Sequence, residues 1–233
     1  MVISLLLFGV GVNASRVTFI RPERVVLDFG LTAIALSNGL LAVLVGSAML
    51  AREFERRTIL VALTRPITRF QFLLGKFTGL KWVLLLNSAL LSGGYLLVLH
   101  LLSEGQSPVT PTVGWALVLL ALQSLVLAAV AIFFSSFSTT SLAIMMTLGT
   151  YLVGVNCSQL RILAVKQQSI LVKGMLNAVS MAVPNFEHFN LGLKVTYGLP
   201  IAPSYLLNGV LYAGAWALLL LVLAGLLLER RES

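Results

Sequence analysis

The chain has 233 residues, 58% of them hydrophobic and 10% charged, with a net charge of +8 and a mean hydropathy of +0.99. Soluble domains carry roughly a quarter charged residues, so an ordinary water-soluble fold is excluded. In a soluble protein the positive balance would point to nucleic acid. Here it fits basic loops beside lipid headgroups, and Cys157, the single cysteine, cannot form an intrachain disulfide.

The first apolar run, Val2–Val12, reaches only about 18 Å, too short for a hydrocarbon core of about 30 Å. It lacks a basic start and a small-residue cleavage site, so it reads as the outer part of a first membrane helix that begins upstream. Five longer runs follow, at Val25–Met49, Leu80–Leu102, Thr112–Ser135, Thr139–Val155 and Ser204–Leu228. The alternation of a membrane β-barrel is absent. The expected fold is an all-α polytopic membrane protein forming one domain over 1–233. It should have about six transmembrane helices, a cytoplasmic helix in one connection and an amphipathic helix on the outer interface.

The connection between the first two long runs gathers Arg52, Arg56, Arg57, Arg65, Arg69, Lys76 and Lys81. Basic residues at helix ends mark the inside. The connection "SEGQSPVTPT" at 103–112 has no Lys or Arg and belongs outside, whereas Arg230 and Arg231 fall inside again. Within 52–79, Glu53 and Arg57 have the favourable i,i+4 orientation of a helical ion pair. Arg65 precedes Pro66, which biases it away from α and predicts a helix end near Thr64. Thr68 and Gln71 form a capping box and Ile67 and Phe72 a hydrophobic staple, so a second helix should start there and run into the next span. A topology anchor needs only basic residues. Acids, a proline break and a capped restart describe a rigid protrusion suited to docking a partner.

Over 162–183, Lys166, Ser169, Lys173, Asn177 and Ser180 recur at helical spacing opposite Leu163, Ile170, Leu171 and Met175. This predicts one amphipathic helix on the outer interface. A seventh span in its place would bury two lysines and turn the C-terminus outward. Asn38, Asn87 and Gln123 lie within spans and either line a pathway or hydrogen-bond neighbouring helices. Gly39, Gly46, Gly75, Gly79, Gly93 and Gly94 would permit close helix approach.

Several activities find no support. A phosphate loop would need Gly at position 70 and Ser or Thr at 77, and the chain has Phe70 and Phe77. Glu23, Asp28, Glu53, Glu55, Glu104, Glu187, Glu229 and Glu232 all fall at span ends or in loops, which argues against proton coupling through a membrane carboxylate. His100, His188 and Cys157 are scattered and form no metal motif.

The stretch "EFERRTILVALTRPITRFQFLLGKFTGL" resembles ABC-2 type permeases, the membrane subunits of ABC exporters. In that family an E-x-E-R-x-T stretch precedes a Pro-x-x-Arg turn and a Leu-Gly-Lys helix, and Glu53, Glu55, Arg56, Arg57, Thr58, Pro66, Arg69, Gly75 and Lys76 match it. "PNFEHFNL" at 184–191 is similar to the family's PN-x-E-x-FN segment, and "LERRES" to its basic tail. The branch most similar in pattern contains the permease of nitrous oxide reductase maturation. The resemblance implies a multi-pass permease of the bacterial inner membrane that pairs with a second copy and with a cytoplasmic ABC ATPase. ATP and Mg would sit on that ATPase, with no cofactor on this chain. It implies ATPase coupling for Arg52, Glu53, Glu55, Arg56, Arg57, Thr58, Pro66 and Arg69. An outer platform is expected over 157–203 from the amphipathic spacing and the topology, and it includes Lys166, Lys173, Pro184, Asn185 and Glu187. The alternative is a membrane assembly factor that uses the same ATPase to act mechanically on a periplasmic partner.

Overall fold

Hydrocarbon offers no partners to backbone N–H and C=O groups, so a spanning chain satisfies them within helices. A computed structural model of the chain describes residues 22–55, 69–102, 111–167, 169–197, 199 and 201–230, and among these it is helical with no strand. The helices are α1 (Pro22–Glu55), α2 (Arg69–Leu102), α3 (Pro111–Ser135), α4 (Thr140–Val155), α5 (Cys157–Lys166) and α6 (Ile170–Ala182). A 3-10 turn (Phe186–Phe189), α7 (Gly192–Thr196) and α8 (Pro203–Arg230) follow. Three of the long helices open on proline, whose fixed φ suits the first helical position and whose missing N–H costs nothing there.

Four stretches are long and apolar enough to cross a membrane: Val26–Ala51, Phe70–Leu101, Pro111–Ser135 and Pro203–Leu228. α4 and α5, bent by 68° at their junction, make a fifth if the pair is counted as one span. The all-α polytopic fold therefore stands, with four or five spans among the described residues. The expected first helix at Val2–Val12 lies outside them.

One connection agrees with expectation and one differs. The helix expected to restart near Thr68 and run into the next span is α2, a single helix of 34 residues and about 51 Å. No proline or polar run interrupts it. The single amphipathic helix expected over 162–183 is instead two helices. Gln167 and Ser169 are extended, with ψ of 131° and 119°, and Ser169 takes the N-cap position of α6. The helix yields at Gln167 and Ser169, and serine is a weak residue for a helix interior. α5 and α6 pack on each other as a hairpin.

By their described residues, the chain divides into two compact units. One draws on Met1–Ala42, Thr78–Leu125 and Phe189–Ala213, the other on Val43–Phe77, Val126–His188 and Gly214–Ser233. In the first, Leu27, Leu31, Ile34, Leu80, Leu84, Tyr95, Leu99, Val113, Leu119 and Phe189 are buried. The α2 members recur at steps of four and eleven along one stripe, while Trp82, Leu86, Leu90, Leu97 and Leu101 on that helix stay exposed as a lipid-facing surface. In the second unit every residue from Val126 to Ile132 is buried. The alanines there let neighbouring helices approach closely. Ala129, Val130 and Leu220 form its centre, with Phe77, Phe133, Phe134 and Trp216 packed around them.

The glycines expected to seat close contacts at Gly75, Gly79, Gly93 and Gly94 have nothing within 4 Å of an added Cβ. The crowded positions are elsewhere. A Cβ on Gly30 would stand 2.1 Å from the Tyr95 ring, and one on Gly154 would stand 2.4 Å from Phe186 and 2.5 Å from the Pro184 carbonyl oxygen.

Candidate functional site

The membrane end of α1 leads into the basic connection, and a set of small hydroxyl residues fixes it. Ser135, the last residue of α3, is fully buried. Its Oγ donates to the Ser47 carbonyl at 2.9 Å and accepts from the Ala51 amide at 2.8 Å. Ser47 and Ala51 are the i and i+4 residues whose carbonyl and amide an α-helix joins to each other. The hydroxyl is thus set against a rung of the α1 ladder one residue before Arg52. Thr147 of α4 gives its proton to the Ala143 carbonyl at 2.7 Å, leaving its oxygen as acceptor for Ser47 Oγ at 3.5 Å. Three helices meet here through side chains short enough to let their backbones approach.

The turn after α3 is built from the same chemistry. Ser136 Oγ donates to the Phe133 carbonyl at 2.7 Å and Ser138 Oγ to the Phe134 carbonyl at 2.6 Å, covering carbonyls that a helix end leaves open. Beside it Phe133 and Phe134 pack tilted against each other and each meets Phe137 edge to face, with centroids 5.3 to 5.9 Å apart.

The bend between α4 and α5 has its own lock. Asn156 leaves the helix at φ −113°, ψ 23°, and its Nδ2 donates to the Leu152 carbonyl at 2.8 Å. Glu187 reaches back to the start of α5, accepting from the Ser158 amide at 3.0 Å and from the Ser158 hydroxyl. A carboxylate at a helix N-terminus meets exposed N–H groups and the positive end of the dipole. Asn185 holds Glu187 in position by accepting from its amide at 3.1 Å, a local Asx turn. Phe186 lies against Gly154 and Tyr151, with Pro184 also buried. Among the residues of "PNFEHFNL", those at 184–187 therefore form a buckle that ties the chain after α6 to the α4–α5 bend. Asn190 makes a second Asx turn, accepting from the Gly192 amide at 2.9 Å.

Asn87 Nδ2 donates to Asn38 Oδ1 at 2.7 Å, and Asn38 Nδ2 donates to Ser88 Oγ at 2.8 Å. Asn38 is buried, so α1 and α2 share a polar link where lipid could not satisfy it. Gln123 is buried on α3. The Tyr95 hydroxyl donates to the Leu27 carbonyl at 3.0 Å, with its ring filling the space that Gly30 leaves.

Of the residues assigned to coupling, Arg52, Glu53 and Glu55 fall in the last turns of α1 and Arg69 opens α2. Their side chains lie outside the described residues, as do Arg56, Arg57, Thr58 and Pro66 altogether. Lys166 ends α5 and Lys173 lies on α6, both exposed. Among the described residues no three of His, Cys, Asp and Glu converge as metal ligands. Sequence reading missed Ser47, Ser135, Thr147 and Gly154. For Ser135 the available signal was the run of small polar residues in "FFSSFSTT" at the end of an apolar helix.

A family model for ABC-2 family transporter proteins matches residues 11–233. This chain belongs to the ABC-2 transporter family. No curated protein matches it. As an ABC-2 protein it is a multi-pass transmembrane permease component of an ABC transporter. The matched range takes in the hydroxyl cluster at the end of α1 and the buckle at the α4–α5 bend.

Proposed function

We propose that this ABC-2 chain is the membrane subunit of an ATP-driven exporter of the bacterial inner membrane, working as a pair of copies. A separate cytoplasmic ATPase holds ATP and Mg and docks on the 52–79 connection. Its contacts are Arg52, Glu53, Glu55, Arg56, Arg57, Thr58, Pro66 and Arg69. Complementary charge at such a surface sets register and partner choice.

The observation that carries this reading is the continuity of α1. The apolar span ends at Ala51, yet the helix runs on to Glu55 without a break. A displacement at the connection therefore acts on a membrane helix through a rigid lever, and the Ser135 hydroxyl ties that lever to α3. The buckle of Pro184, Asn185 and Glu187 belongs to the outer platform in this proposal. Asn38, Asn87 and Gln123 are the polar groups that a pathway would draw on. Membership of the nitrous oxide reductase maturation branch is part of the same proposal and rests on the combined pattern of the 52–79 stretch, 184–191 and the basic tail.

The test is purification from the native membrane in mild detergent. The chain should bring with it a protein bearing a phosphate-binding loop, and the complex should hydrolyse ATP. A chain that purifies with no protein bearing a phosphate-binding loop, from native membranes where ABC ATPases are expressed, would contradict the reading.

A further inference from the structure

The α5–α6 hairpin is fastened at its base and bare over the rest of its length. At the base, Glu187 holds Ser158, and Cys157 is buried. Beyond it only Ala164 on α5 and Ser180 on α6 are buried. Every described residue from Val165 to Met175 is exposed, Ile170 to 86% and Leu171 to 80%. Ile162, Leu163, Val165, Val172 and Met175 add to this apolar surface. α5 has 10 residues and α6 has 13, so they reach about 15 and 20 Å and neither can cross a bilayer alone.

Its charge is of one sign. Arg161, Lys166 and Lys173 all lie exposed on the hairpin, and no Asp or Glu occurs in the chain between Glu104 and Glu187. Short helices with bare apolar side chains and basic residues among them bind lipid at the headgroup level. The apolar side chains enter the acyl boundary and the amines stay with phosphates. A second copy is the other conceivable cover. A two-fold contact of this patch with itself would bring its basic residues together with no acid of its own to pair them.

We propose that the α5–α6 hairpin seats its turn in the bilayer interface and gathers anionic phospholipid headgroups through Arg161, Lys166 and Lys173. The proposal rests on the membrane assignment but not on the exporter reading, and its test needs no ATPase. Each basic residue near an anionic surface favours binding roughly fivefold.

The test uses the full chain in liposomes of phosphatidylcholine with phosphatidylglycerol, carrying a bimane label on Leu171→Cys. Wild type is treated in parallel, because its Cys157 is buried. Brominated acyl chains should quench the label and aqueous iodide should not. At equal mole fraction, brominated phosphatidylglycerol should quench better than brominated phosphatidylcholine, with a local enrichment of roughly fivefold or more. R161Q/K166Q/K173Q should bring that preference close to unity, and R161K/K166R/K173R should keep it. The proposal is overturned by iodide quenching without lipid quenching. It is equally overturned by rapid disulfide formation between Leu171→Cys of two copies, or by a phosphatidylglycerol preference that R161Q/K166Q/K173Q leaves intact.

Discussion

The Ala51 amide donates to the Ser135 hydroxyl at 2.8 Å, and the same hydroxyl donates to the Ser47 carbonyl at 2.9 Å. One side chain of α3 thus engages both ends of an α1 rung immediately before the basic connection. Ser135→Ala removes both bonds while leaving α1 able to close its own rung. The expected cost is about 1 kcal/mol, the net worth of a typical hydrogen bond. Ser135→Val puts a methyl against the same polar pair and should cost more, about 1–3 kcal/mol. Thermal unfolding in detergent checks the order, and amide exchange at Ala51 should speed up in both variants.

Gly154 and Gly149 lie on the same helix and should respond oppositely to alanine. At Gly154 the new methyl would sit 2.5 Å from the Pro184 carbonyl oxygen, a backbone atom that cannot swing away. Overpacking of this kind costs typically about 1–3 kcal/mol. At Gly149 nothing lies within 4 Å, so alanine should be neutral or stabilising by up to about 1 kcal/mol through helix propensity. Thermal melts of the two variants, measured side by side, decide the matter. Equal destabilisation would mean that the Phe186 buckle does not hold the bend.

Asn38 and Asn87 present a choice between a structural link and a pathway. A double-mutant cycle with Asn38→Leu and Asn87→Leu should give a coupling of about 0.5–2 kcal/mol, the range of side-chain hydrogen bonds between membrane helices. Stability in detergent is the measurement. Additive effects would remove the link between α1 and α2 from the account.

The class and most spans were legible because hydrocarbon thickness imposes a length on every crossing helix, and runs such as Thr112–Ser135 meet it directly. The α4–α5 bend was half legible. α4 was seen to end at Val155, but what makes the bend a defined element is a carboxylate thirty residues later, and Glu187 gives no local sign of reaching Ser158. The α5–α6 turn was missed because Lys166 and Lys173 keep helical spacing across it. Periodicity survives a break that costs whole turns, so it cannot report one. The glycines misled in the same way. Spacing such as Gly75-x-x-x-Gly79 marks where a neighbour could approach, whereas Gly154 shows where one does, and only the partner Phe186 distinguishes them. The Ser135 contact needs α1 and α3 together, residues 84 and 88 positions apart, which no window along the chain contains.

The most direct test of the central claim concerns Glu53 and Glu55. Orientation in the membrane follows Lys and Arg and largely ignores acids, so Glu53→Gln/Glu55→Gln should insert normally. If the connection docks the ATPase, losing charge-assisted contacts should cost about 2–5 kcal/mol, roughly 30-fold to several-thousand-fold in affinity. Glu104→Gln serves as the matched control and should change nothing. The affinity of the purified ATPase for each variant is the measurement. The account predicts a sharp loss for the double variant alone, and wild-type affinity with full ATP-coupled transport in that variant would contradict it.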